Sequence, residues 1–221
     1  MSGKFGDILT RTSQLLGANA TRVAPALLIL VAGGMVLDSG LAGEGAEGAV
    51  YFAVSMATLA AQYWLTRAAL RDLGYGVAHR SRFLAFFGMS VVYTVGVLLG
   101  LILVVVPGII LLARWAIGAP ALLASGDGVF DCLARSWRET GQHFWPILGV
   151  LAAIYLPGWL AFVLFAPGFE VVTVSFGSSA FWLAVGASNL ALNAALIAGW
   201  YASVAIFTLI NPSQRVAEIF E

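Results

Sequence analysis

The chain has 221 residues, 61% of them hydrophobic and 10% charged, with a mean hydropathy of +0.94. That much apolar surface exceeds what a soluble core of this size could hide, so a multi-pass membrane protein is expected. Eleven basic residues balance 11 acidic ones, which argues against a nucleic-acid partner, and a single cysteine, Cys132, leaves no intrachain disulfide framework.

Residues 5–17 predict a short amphipathic helix in the membrane interface, carrying Arg11. The first apolar run begins only after Arg22 and leads into a chain full of such runs, which is not the pattern of a cleavable signal peptide. A transmembrane helix needs roughly 20 apolar residues to cross about 30 Å of hydrocarbon. Spans are expected over about 23–38 and 49–69 on that basis. From Phe83 to Ser125 only Arg114 interrupts the apolar residues, and one helix of that length would measure roughly 65 Å. The chain must therefore turn back. Pro107-Gly108 is the expected place, since Pro lacks an amide donor and Gly tolerates turn dihedrals, giving spans over about 84–106 and 108–124.

Residues 128–140 predict a second interfacial helix. Val129, Phe130, Leu133, Ala134 and Trp137 recur at three- and four-residue spacing, while Asp131, Arg135, Arg138 and Glu139 take the other face. Asp127 is its expected N-cap and Gly141 its stop, with Asp131, Arg135 and Glu139 at i,i+4 spacing. Such a helix is too short and too charged to span, so Arg135 and Arg138 are expected at phosphate level with Trp137 in the acyl boundary, as Arg11 is in the first interfacial helix. A fifth span follows over about 144–166, with a kink expected at Pro157-Gly158. The β-branched "VVTVSFGSS" reads as an extended outer loop before a sixth span over about 179–208.

The fold expected is thus all-α, one integral membrane domain over 1–221 with six spans and two cytoplasmic interfacial helices. Charge placement agrees with it. Lys4, Arg11, Arg22, Arg67, Arg71, Arg80, Arg82, Arg135, Arg138 and Arg215 fall on one side, and Asp38, Glu44, Glu47 and Glu170 on the other. The positive-inside rule then puts both termini in the cytoplasm. An internal repeat is also suggested: "DILTRTSQLLG" aligns without gaps with "DCLARSWRETG", pairing Asp7 with Asp131, Arg11 with Arg135, Thr12 with Ser136 and Gly17 with Gly141. Each copy precedes an apolar span with an early Pro, Pro25 or Pro146. The copies would share one orientation, related by an axis along the membrane normal.

Polar groups within the spans bear on function. Arg114 lies seven residues past Pro107, where a charge costs at least a few kcal/mol unless paired or hydrated. Gln62, Asn189 and Asn193 could meet it, the asparagines sharing one helical face, and the four together would form a lipid-headgroup or anion site. The alternative is that Arg114 snorkels or bonds backbone carbonyls while the amides join helices. Gly96 and Gly100 form a GxxxG expected to pack within the subunit.

"PGIILLARWAIGAPALLASGDGVFDCLARSWRETGQHFW", Pro107 to Trp145, resembles the multi-pass membrane domain fused to some bacterial glycerophosphoryl diester phosphodiesterases and also found alone. The shared features are a Pro-Gly pair, an Arg in the following span, an amphipathic helix with Arg-Ser-Trp, and a closing Gly-x-x-Phe-Trp. "FGDILTRTSQLL" is similar to that family's opening helix. The resemblance implies a six-helix architecture in the bacterial cytoplasmic membrane and a link to membrane lipids. It also implies that phosphodiesterase chemistry would need a separate metal-bearing barrel, for which this chain has no residues. His79 and His143 have no carboxylate pair at metal-binding spacing, and no HExxH, GxSxG or Walker loop is present. No enzyme activity, metal or cofactor is expected. The expected partners are membrane phospholipids, and the expected role is a lipid-associated scaffold or regulator, or else a small lipid-translocating protein or transporter with its polar site at Arg114.

Overall fold

The computed structural model describes residues 4–41, 43, 45–77, 82–103, 105–165 and 175–212. Among these the chain is all-helical, with no strand. The elements are α1 (Phe5–Ala18), α2 (Ala20–Asp38), α3 (Glu47–Asp72), α4 (Phe83–Leu103), α5 (Val105–Arg114), α6 (Gly118–Ser125), α7 (Val129–Glu139), a 3-10 turn (Gly141–His143), α8 (Phe144–Phe165) and α9 (Ser179–Ile210). Among the described residues, five helical segments are long and apolar enough to cross a membrane: Ala20–Asp38, Phe83–Leu103, Val105–Ser125, Gly141–Phe165 and Ser179–Ile210. The α3 helix, at 26 residues, matches them in length but carries Gln62 and Thr66 and ends on Arg67, Arg71 and Asp72. Of the segment expected as an outer loop, "VVTVSFGSS", residues 171–174 lie outside the described residues, while 175–178 are non-helical and lead into α9.

The chain divides into two compact units. The first comprises α1, the end of α3 from Tyr63, α4 to α7, α8 as far as Leu151, and α9 from Trp200. It holds most of the large, fully buried side chains, among them Ile8, Leu65, Phe86, Ile117, Leu122, Tyr201 and Phe207. Tyr63 sits edge-on to Phe83 and Phe86 at centroid distances of 5.5 and 5.4 Å. Its hydroxyl accepts from Arg67 Nη1 at 2.8 Å.

The α4–α5 hairpin differs from expectation in where it turns. The α4 helix ends at Leu103 and α5 begins at Val105, so Pro107 and Gly108 lie within the first turn of α5. Pro is tolerated there because first-turn amides have no intrahelical acceptor. Gly108 serves close packing instead. A Cβ on Gly100 would come within 2.8 Å of Gly108 Cα, and one on Gly96 within 2.6 Å of the Trp115 ring. The GxxxG of α4 therefore packs on α5 within the subunit.

The second unit comprises α2, α3 up to Gln62, α8 from Ala152 and α9 up to Gly199. Small residues let its helices approach closely. A Cβ on Gly33 would meet Val54, one on Gly34 would overlap the Asn189 side chain, one on Gly158 would meet Ala195, and one on Gly199 would overlap the Tyr155 hydroxyl. The α8 and α9 helices run antiparallel, Tyr155 meeting Gly199 and Gly158 meeting Ala195.

Candidate functional site

The segment expected to be one continuous span over 108–124 is two helices in the first unit. The α5 helix stops at Arg114, Trp115–Ile117 form a turn, and α6 begins at Gly118. The cause is legible in Pro120: an α-helix through this point would need its N–H to bond Ala116 O, and Pro has none and clashes with that carbonyl. The freed carbonyls are taken by hydroxyls from other elements. Arg114 O accepts from Ser136 Oγ at 2.8 Å and from Thr140 Oγ1 at 3.0 Å, and Ala116 O accepts from Ser203 Oγ. Without such partners, irregular backbone in an apolar setting would leave costly unpaired carbonyls.

The break places the Arg114 guanidinium against α7. Its Nη1 donates to Trp137 O at 3.1 Å, and its carbon lies 4.9 Å from the Trp137 ring centroid. Trp137 O is one of the last four carbonyls of α7, which have no intrahelical donor, so a cation here caps the helix and complements its dipole. A Cβ at Gly141 would fall 2.6 Å from Arg114 Nη1, so the glycine expected as a helix stop instead makes room for the guanidinium. Thr140 is the C-cap of α7. At the other end the N-cap is Gly128, not Asp127, and no side chain bonds there. Asp127 is held otherwise: its N–H reaches Ser125 Oγ and its carbonyl accepts from Arg82 Nη2. Gly126, at φ +80°, supplies the left-handed residue that ends α6, and Arg82 Nη1 caps the Leu122 carbonyl at 2.9 Å.

The α7 helix turns Cys132, Leu133 and Ser136 inward and leaves Phe130 and Trp137 72% and 40% exposed. Between α7 and the hairpin runs a groove of about 480 Å³ lined by Val92, Trp115, Phe130, Leu133, Ala134, Trp137 and Arg138. Burial pushes the Cys132 thiol pKa up, more than its contact with Ser125 lowers it.

The basic residues expected at headgroup level divide into two kinds. Arg135 is occupied: its Nε meets Glu139 Oε1 at 2.7 Å and its Nη2 donates to Asn211 Oδ1 at 3.0 Å. Asn211 Nδ2 in turn donates to Glu139 Oε2 at 2.8 Å, and its carbonyl accepts from Tyr75 OH. That network closes on itself and ties α7 to the end of α9. Arg138 is exposed on the groove, and Arg11 is half-buried on α1.

Of the four residues expected to form one site, Arg114 belongs to the first unit and Gln62, Asn189 and Asn193 to the second. Within that unit Asn189 Nδ2 donates to Asp38 Oδ2 at 2.8 Å and to Val185 O at 3.0 Å. Asn193 Nδ2 donates to Asn189 O at 2.9 Å, and Gln62 is half-buried on α3. Sequence reasoning missed Asp38 as a partner for Asn189. Gly34, one turn before Asp38, was the available signal, since it lets α2 approach the amide. Among the described residues no group of three or more His, Cys, Asp or Glu side chains is placed to hold a metal ion. His143 is half-buried in the 3-10 turn, and His79 lies outside the described residues.

The class that this fold defines is that of α-helical membrane proteins, with several segments able to span by length and composition. Comparison with protein-family models, with curated proteins and with solved structures gives no match.

Proposed function

We propose that the chain is a non-catalytic, lipid-associated protein of the bacterial cytoplasmic membrane, a scaffold or regulator of lipid or envelope processes. In this reading it has six spans, both termini in the cytoplasm, and α1 and α7 in the cytoplasmic interface. The observation that carries the proposal is α7. It is 11 residues long, too short to span, and shows solvent or lipid two aromatic side chains, Phe130 and Trp137, beside the exposed Arg138. An amphipathic helix with aromatic and basic groups together is the composition that lies at headgroup level.

Other observations support the finer parts. The α3 helix would be roughly 39 Å long, enough for the sixth crossing, and the one-sided placement of Lys and Arg supports the orientation. The repeat is supported by burial, since the aligned pairs Thr12 with Ser136 and Ile8 with Cys132 are all buried. The resemblance of 107–145 to the phosphodiesterase-associated membrane domain supports the bacterial setting.

The test is native mass spectrometry of the protein released from its own membrane. Phospholipid should remain bound to wild type and to Arg135→Ala, whose guanidinium is already occupied. Release of wild type free of every phospholipid would sink the lipid-associated reading. Orientation is tested in a Cys132→Ala background, where an impermeant maleimide should reach Gly45→Cys and Gly168→Cys from outside but not Gly76→Cys.

The interruption of a candidate span at Trp115–Ile117 favours a second reading, a lipid-translocating protein, because broken helices line substrate sites in transporters. In proteoliposomes, dithionite should then bleach inner-leaflet nitrobenzoxadiazole-phosphatidylcholine faster than in empty vesicles, and Arg114→Ala should abolish the gain. Equal rates with and without protein would remove this reading.

A further inference from the structure

We infer that the groove between α7 and the α4–α5 hairpin is a binding site for one anionic phospholipid, with an acyl chain against Trp115, Phe130 and Trp137 and the phosphate at Arg138. This rests on the lipid-associated reading above and narrows it to one place and one class of lipid. The groove volume, about 480 Å³, lies in the range of small-ligand sites, which are mostly apolar with a few placed polar groups. Its lining is apolar and aromatic except for Arg138.

Charge decides the headgroup. Arg135 is already matched by Glu139 and Asn211, so of the two arginines on α7 it is Arg138 that offers its charge to a ligand. Arg114 adds a second cation against the Trp137 ring, with one guanidinium N–H on Trp137 O and others left to donate. The carboxylates of α7 lie elsewhere: Glu139 is engaged with Arg135 and Asn211, and Asp131 stands about two turns before Arg138, beside Gly128. The Arg138 guanidinium at the groove, with the positive charge of Arg114 behind the Trp137 ring, attracts a phosphodiester that carries net negative charge and disfavours the cationic amine of a zwitterionic headgroup. The aromatic wall favours a lipid over free phosphate, because binding the chain buries apolar surface.

The test uses the full chain, delipidated in detergent and titrated with dioleoyl phosphatidylglycerol, dioleoyl phosphatidylcholine or inorganic phosphate, with adducts counted by native mass spectrometry. Wild type should hold one phosphatidylglycerol in preference to phosphatidylcholine, and phosphate alone should leave no adduct. Ala134→Trp, which fills the groove from an exposed position, should remove the adduct while the melting temperature stays near wild type. Arg138→Gln should lower phosphatidylglycerol retention about fivefold, the worth of one surface cation, and Arg11→Gln should not. An adduct that survives Ala134→Trp, or equal retention of the two lipids by wild type, would overturn the site and leave the broader reading standing. Retention of neither lipid would overturn both.

Discussion

The carbonyl of Arg114 accepts from Ser136 Oγ at 2.8 Å and Thr140 Oγ1 at 3.0 Å, and Thr140 Oγ1 also lies 2.7 Å from Ser136 O. Thr140 has one hydroxyl proton and can serve one of those carbonyls at a time. In Ser136→Ala that proton turns to Arg114 O, so the loss is one buried hydrogen bond, about 1 kcal/mol. Thr140→Val leaves Ser136 in place and costs about the same. Both hydroxyl residues are fully buried, at 0% exposure, so no water replaces them when both are lost. The double variant then strands a carbonyl at the end of α5 and adds a desolvation penalty of about 1–3 kcal/mol, for a total of about 3–5 kcal/mol. The assay is unfolding in mixed micelles by increasing dodecyl sulfate, followed by circular dichroism for wild type, both single variants and the double variant. Additivity of the single costs within about 0.5 kcal/mol would refute the shared-acceptor reasoning.

Further expectations rest on separate contacts. Gly34→Ala should destabilise by about 1–3 kcal/mol through overpacking against Asn189, and Asn189→Ala should relieve most of that cost. No such rescue in the double variant would mean that α2 and α9 do not meet there. Asn211→Ala removes the contacts to Arg135 and Glu139 while the backbone bond from Tyr75 persists, so a loss of roughly 1–3 kcal/mol is expected in the same unfolding assay. Cys132 should resist iodoacetamide at pH 8. Its raised pKa keeps the thiol protonated, so the reactive thiolate is scarce below the ordinary thiol pKa and increases only at higher pH. Alkylation as fast as in the unfolded chain would contradict its burial.

Much of the all-helical class was legible because it follows from bulk apolar content and from charges that bound the runs. The amphipathic period of α7 was legible in Val129, Phe130, Leu133, Ala134 and Trp137. That Cys132 and Ser136 turn inward with Leu133 while Phe130 and Trp137 stay exposed was not, because it depends on how α7 packs. The break after Arg114 was not read, although Pro120 marks it, because an apolar stretch with a proline near one end also fits a single span. Its closure depends on Ser136, Thr140 and Ser203, which are brought to the break only by tertiary packing. The Asp38–Asn189 contact joins positions 151 residues apart, and nothing local in either segment names the other. The occupation of Arg135 was half visible: its i,i+4 spacing to Glu139 could be read, while Asn211 could not. Pro107-Gly108 was read as a turn because its composition fits one, yet the same pair suits the first turn of a helix that must approach another closely.

The depth of Trp137 in a lipid bilayer tests most directly whether α7 lies in the membrane interface. A variant retaining Trp137 alone, with the other six tryptophans replaced by phenylalanine, would be reconstituted into phosphatidylglycerol-containing vesicles, and its fluorescence quenched by lipids brominated at defined acyl positions. Strongest quenching by bromines nearest the glycerol, with little effect of aqueous iodide, is the expected result. Quenching by iodide alone would place α7 in water and contradict the lipid-facing role given to it here.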